Sequence, residues 1–175
     1  MPIDTKRAAR RELSFHCTGC LKEELARIEA AEAAGTLAHT GNWTPGEILD
    51  HVAKTWEYSF DGWPAEAKPP FWMRLVGRLM KRRVTSGATT PAGIRLPKEA
   101  AFLLPTPGAP FTPALARLRA VLDRIDRGEE ATAPSPMFGP MTHDESTRLN
   151  LGHAQLHLGF LSYDGGVPSE GCVSR

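Results

Sequence analysis

The stretch Thr142 to Leu161, T-H-D-E-S-T-R-L-N-L-G-H-A-Q-L-H-L-G-F-L, decides how the rest of the chain is read. It reads as one helix. Thr142 stands at the cap position and Glu145, three residues on, completes a capping box, in which each side chain satisfies a backbone N–H left bare at the helix start. Leu149, His153, Leu156, His157 and Phe160 then fall at helical spacing on one face. Such a face points toward a core, yet it carries two histidines one turn apart. Neighbours at i and i+4 have Cβ atoms about 5–6 Å apart, so both imidazoles can reach one metal ion from a rigid platform. The other reading of His153 and His157 is a pair satisfied by hydrogen bonds in a helix interface, and HxxxH alone does not choose.

A second helix opens on Thr44-Pro45-Gly46-Glu47. Thr44 caps, Pro45 takes the first helical position where its missing N–H costs nothing, and Glu47 closes the box. The pattern runs to about Phe60 and stops near Gly62 and Pro64. Ile48, His51, Val52, Thr55 and Ser59 share a face, so His51 also looks toward a core. A lone histidine in that place is more often structural than a ligand.

Two further helices follow from the same periodicity. Residues 14–34 place Leu21, Leu25 and Ile28 on one side, then an alanine-rich run of strong helix propensity, with Gly35 as the stop. Residues 114–127 place Leu115, Leu118, Leu122 and Ile125 together, with Thr112 and Pro113 as cap and first position. Residues 71–84, F-W-M-R-L-V-G-R-L-M-K-R-R-V, form a short amphipathic basic stretch. It could lie on an anionic membrane or clamp an acidic ligand; a surface helix with a solvated basic side is the preferred reading. Residues 85–113 hold too many prolines and glycines for a long regular element, while Ile94, Leu96, Phe102, Leu103 and Leu104 favour packing over disorder. Residues 1–13 read as a frayed start or a solvated basic arm, His39 as exposed in a turn-rich link, and the residues after Tyr163 as a loosely held polar tail. No strand pattern is expected anywhere.

Length suits one domain, residues 1–175, with its core over about 13–162. Net charge is +1, so no whole-chain field argues for a nucleic acid or membrane partner, and none is expected. The first residues lack the apolar region of a signal peptide and no apolar run is long enough to cross a bilayer. An odd count of three cysteines argues against a disulfide framework, which leaves a cytoplasmic location by elimination. Cys17 and Cys20 form a CxxC, but a redox pair needs a βαβ context and a zinc site needs a second ligand pair, and neither is visible. The preferred reading is a small buried cysteine at 17, in phase with Leu21, and an incidental one at 20.

Four amphipathic helices bury their apolar faces together most naturally as a bundle. His51, His153 and His157 would then face one another. Three buried imidazoles are awkward without a cation, since each needs hydrogen-bond partners and any charged ones would repel. A divalent ion removes the difficulty, and three neutral ligands leave it a full +2 charge and an open position. Glu47 and Asp50 are the acidic residues nearest His51; Glu47 shares its side of the helix better, although the capping box is its preferred role.

The segments N-W-T-P-G-E-I-L-D-H-V-A (42–53) and G-H-A-Q-L-H-L (152–158) resemble the DinB/YfiT-like superfamily, a group read as metalloenzymes. L-S-F near residue 14, W-M-R-L-V-G-R-L-M-K-R-R at 72–83, P-A-G-I-R-L-P at 91–97 and F-G-P-M-T at 138–142 look like a branch described only as a domain of unknown function, common in environmental bacteria. The resemblance implies an all-α, DinB-like four-helix bundle, with a long irregular connection and a short extra helix between helices two and three. It implies a divalent metal, zinc or nickel, held by His51, His153 and His157, a small-molecule substrate, and frequent homodimers. Some relatives are thiol-dependent transferases or isomerases that use a low-molecular-weight thiol, and others are hydrolases. A metal-dependent thiol transferase is therefore the first expectation, with a hydrolase or a non-catalytic metal-binding bundle behind it. The 71–113 segment would roof the site, with Arg74, Arg78 or Arg95 meeting carboxylates of the thiol or substrate.

Overall fold

The computed structural model describes residues 3–87, 93 and 98–163. Its elements in chain order are α1 (Thr18–Ala33), β1 (Ala38–His39), α2 (Pro45–Asp61), α3 (Phe71–Val84), a 3-10 helix (Lys98–Leu103), α4 (Phe111–Asp126), α5 (His143–Leu158) and β2 (Leu161–Ser162). The chain is of the all-α class. Helix α2 packs on α4 and α5, while α1 packs on the same two helices. Leu21, Leu25, Ile28, Leu49, Val52, Trp56, Leu118, Leu122 and Leu158 are fully enclosed between them. Among the described residues no helix is long and apolar enough to cross a membrane.

The helix starts follow the sequence where a capping box stands. At α2, Thr44 Oγ1 accepts from the Glu47 N–H and Glu47 Oε2 accepts from the Thr44 N–H (2.8 Å). Thr142 and Glu145 repeat the arrangement at α5. Helix α1 stops in a Schellman motif: Gly35 takes φ +69°, and the N–H of Thr36 reaches back to the carbonyl of Ala31 (2.9 Å). His39 is exposed, as expected.

Five readings need correction. Helix α1 begins at Thr18, with Cys17 in extended conformation ahead of it, so the period does not run through residue 17. Cys20 is consequently the buried cysteine and Cys17 the half-buried one, with their sulfurs 3.6 Å apart. Helix α4 begins at Phe111 behind Pro110, so Thr112 and Pro113 lie inside its first turn, where a missing N–H is harmless. Helix α5 ends at Leu158, and Leu161–Ser162 pairs antiparallel with Ala38–His39, so one short strand pair exists after all. Buried residues also run round α5 beyond the expected face, through Asn150, Leu151, Ala154 and Leu158, because α1, α2 and α3 all pack on it.

The fifth correction concerns the N-terminal arm, which is not simply solvated. Arg11 donates to Glu24 (2.6 Å), to the Leu161 carbonyl (2.6 Å) and to the Tyr163 hydroxyl (2.9 Å). Glu24 is a carboxylate inside the core, and pairing makes that burial tolerable. The Arg11 N–H also meets the Gly159 carbonyl (2.8 Å). A Cβ at Gly159 would stand 2.8 Å from the Arg11 carbonyl oxygen, so the arm passes close only because that residue is glycine. Ile94, Leu96, Arg95, Cys172 and the polar tail beyond Tyr163 lie outside the described residues.

Candidate metal centre

His51 sits in the second turn of α2, and His153 and His157 sit one turn apart on α5. The two helices are locked in register by a bond that lies one turn before His153 on α5 and about two turns after His51 on α2. Asn150 Nδ2 donates across to Ser59 Oγ (2.9 Å) and along its own helix to the Ser146 carbonyl (3.0 Å). Ser59 and Asn150 are both buried, so this bond has no competing water. With that register the three imidazoles face one another. His51 Nε2 lies 3.1 Å from His153 Nε2 and 3.2 Å from His157 Nε2.

The far ring nitrogens determine what those inner nitrogens carry. His51 Nδ1 is 2.6 Å from the Leu103 carbonyl oxygen, which can only accept, so Nδ1 holds the proton and Nε2 a lone pair. His153 Nδ1 is 3.2 Å from Thr55 Oγ1, whose own proton goes to the Val52 carbonyl (2.9 Å). His153 therefore also donates from Nδ1 and turns a lone pair inward. Two lone pairs at 3.1 Å repel unless a cation or a proton stands between them.

A proton is disfavoured there. Burial pushes the His51 imidazole down to about 4, with the Lys54 ammonium adding to the shift and the Leu103 carbonyl and Asp50 opposing it. His153 and His157 are held well below the ordinary histidine range, by burial first and by the neighbouring imidazoles second. A metal ion suits the same geometry. Tetrahedral bonds of about 2.0–2.1 Å set ligand nitrogens about 3.3–3.4 Å apart, close to the observed spacing. Among the described residues these three histidines are the group of His, Cys, Asp and Glu able to hold a metal ion, their ligand atoms all within 4.8 Å of one another. By residue surface His51 is buried and His153 and His157 are half-buried.

The surroundings hold residues the sequence reading missed. Trp43 stacks on His157 (ring centroids 5.3 Å, planes 19° apart) and tilts against His51 (4.8 Å). It precedes the Thr44 cap, so the turn that starts α2 also places a wall of the site. Leu103 comes from the irregular connection between α3 and α4, and α2 itself anchors that loop. Asp50 accepts from the Thr106 N–H (2.7 Å), and Lys54 donates to the Leu104 carbonyl (3.1 Å) and the Thr106 hydroxyl (3.0 Å). Asp50 and Glu57 also hold Arg117 of α4. Burial would raise the Asp50 carboxyl, but the Thr106 N–H and the Lys54 ammonium prevail and hold it below its ordinary value. Glu47 is likewise committed, to the N–H groups of Gly108 (2.9 Å) and Thr44. Neither carboxylate is turned to the histidines as a free base.

Arg74 and Arg78 do not roof this centre. They line a separate cavity of about 470 Å³ with Lys68 and the 134–140 turn, and none of the three histidines borders it. Among the described residues of the long connection, the loop at Leu103 reaches the site.

The family of proteins of unknown function DUF1569 matches residues 7–164. The chain belongs to that family. The match spans every helix and all three histidines of this DUF1569 chain, and the family's description carries no activity. No curated protein and no solved structure gives a significant match.

Proposed function

We propose that His51, His153 and His157 hold a divalent ion, zinc or nickel, and that the protein is a metal-dependent enzyme with thiol-transferase-like chemistry. The observation that carries the metal reading is the inward convergence of Nε2 atoms on tautomers set by Leu103 and Thr55. The fold reading goes with it: α1, α2, α4 and α5 would be the four helices of a DinB-like bundle, and α3 the extra helix on its long connection. The DinB/YfiT resemblance supports both, since its histidine pattern is intact at all three positions.

When bound, the ion would supply Lewis-acid activation, lowering the pKa of a low-molecular-weight thiol so that it attacks an electrophilic substrate. The protein's part is positional. The Leu103 carbonyl and Thr55 hydroxyl orient two imidazoles, Trp43 walls the site beside His157, and the α2–α4–α5 packing keeps bulk water from the inner side. Hydrolysis is the second reading. It asks for a general base, and the two nearby carboxylates of α2 are taken up by backbone and cationic partners, so we rank it behind thiol transfer.

The test is turnover of an electrophile with glutathione, mycothiol or bacillithiol, before and after chelation. Metal-dependent consumption of thiol supports the reading, and thiol-independent, metal-dependent cleavage moves the protein to the hydrolases. A chain that unfolds on chelation and shows no turnover in any screen makes the ion structural.

A further inference from the structure

Among the described residues, α3 is the helix whose apolar side is left open. Phe71 and Leu79 are 78% exposed and Trp72 64%, and Leu75, Val76 and Met80 are exposed beside them. Isolated exposed apolar residues are ordinary, but a contiguous stripe of six on one helix marks an interaction surface. The helix cannot simply roll to hide them. Gly77 is its one buried residue, and a Cβ there would collide with the backbone of Met137. On the same side Lys81 donates to the Pro140 carbonyl (2.7 Å) and pairs with Glu145 (2.8 Å). Successive helical residues turn by about 100°. With Gly77 inward, Phe71, Leu75, Leu79 and Arg82 point directly away from the body.

The charge on α3 is as one-sided as its exposure. Arg74, Arg78, Lys81, Arg82 and Arg83 stand in a helix with no acidic residue, within a chain of net charge +1. Arg74 and Arg78, with Lys68, line the cavity of about 470 Å³ under the helix. Among the described residues no ion pair neutralises Lys68, Arg74, Arg78, Arg82 or Arg83.

We propose that α3 seats the protein on an anionic lipid bilayer. The Phe71–Leu75–Leu79 stripe enters the acyl boundary and Trp72 lies at headgroup level. Arg82 and Arg83 meet lipid phosphates, and the cavity of Lys68, Arg74 and Arg78 takes a headgroup phosphate from the side. A second copy of the chain fits worse. Two α3 helices brought face to face would oppose arginines to arginines, with no carboxylate on either helix to answer them. The polar tail, D-G-G-V-P-S-E-G-C-V-S-R, has too few apolar side chains to cover the stripe. From sequence, a membrane surface is one reading of residues 71–84, behind a solvated surface helix, and whole-chain charge argues against a membrane partner; the exposure of the apolar stripe is what changes the preference.

The experiment is flotation of the full, untagged chain with vesicles of phosphatidylcholine, with and without phosphatidylglycerol, in chelator and in added zinc. The chain should float with the anionic vesicles alone, in both conditions, with binding that weakens as salt rises. Leu79→Glu should reduce partitioning by more than about tenfold, and Arg82→Gln and Arg83→Gln by roughly fivefold each. All three positions are exposed, so circular dichroism and melting should be unchanged in these variants. Absence of flotation on anionic vesicles overturns the proposal, as does wild-type flotation of Leu79→Glu. So does a solution dimer that Leu79→Glu dissociates while the wild-type chain stays off vesicles, an outcome that makes the stripe a self-interface.

Discussion

Helices α2 and α3 carry amphipathic patterns of comparable strength, and the molecule uses them in opposite ways. Helix α2 turns its apolar side inward, encloses Trp56 completely, and sets His51, Thr55 and Ser59 within that same buried side. Helix α3 turns a glycine and a lysine inward and leaves Phe71, Trp72 and Leu79 outside. Periodicity states that a helix has two sides; it does not state what each side meets. For α2 the answer comes from the capping box, the Asn150–Ser59 bond and the ion pairs to Arg117. For α3 it comes from one missing Cβ at Gly77 and from Lys81.

Trp56 and Trp72 give the sharpest way to break this contrast. Trp56→Ala should cost about 3–5 kcal/mol, since it empties the centre of the core. Trp72→Ala should change stability by no more than about 0.5 kcal/mol, as surface substitutions do. Urea denaturation of both variants decides it, and a large loss at Trp72 would mean that α3 buries its apolar side in solution.

Acid should probe the α2 side next. The histidines are depressed when folded and ordinary when unfolded, near 6.5. The unfolded chain therefore binds more protons between about 4 and 6.5, so metal-free protein loses stability as pH falls through that window. His51 alone contributes on the order of 3 kcal/mol. Melting curves of chelated protein should drop steadily from pH 7 to 5, above the range where Glu47 and Asp50 protonate. Bound metal should hold the curve flat until protons displace it. A metal-free chain indifferent to pH between 7 and 5 would contradict the packing described for the three rings.

A smaller effect is expected at Thr55. Thr55→Val keeps the shape but removes the acceptor for His153 Nδ1–H. Metal affinity should fall by about 10–100-fold with the helices intact, which competition against a chelating dye measures. Unchanged affinity would show that His153 does not need this partner.

Much of the site could be read from the residues, and the reasons are local. Thr44-Pro45-Gly46-Glu47 and Thr142 with Glu145 are side chain to backbone bonds three residues long, so they survive any tertiary context. The two helix phases then bring His51, His153 and His157 to one place. What could not be read is long-range or carried by the backbone. The Leu103 carbonyl has no side-chain signature and lies 52 residues from His51. Arg11 looks like any basic residue in a polar arm until Glu24 and Tyr163 are folded around it. Cys17 and Cys20 exchanged roles because the helix starts at Thr18, one residue past the point to which the period had been extended. Trp43 could have been suspected, as a large aromatic immediately before a helix cap that leads to a histidine.

The central claim is that three histidines on two helices hold one divalent ion, and metal content tests it most directly. Untagged protein would be assayed by elemental mass spectrometry beside the His153→Ala/His157→Ala variant, with circular dichroism to confirm that both are folded. The expected result is near-stoichiometric zinc or nickel in the native chain and its loss in the variant. A folded native chain that takes up no divalent metal even after reconstitution would contradict the account, and the three histidines would then be core residues of a helical protein.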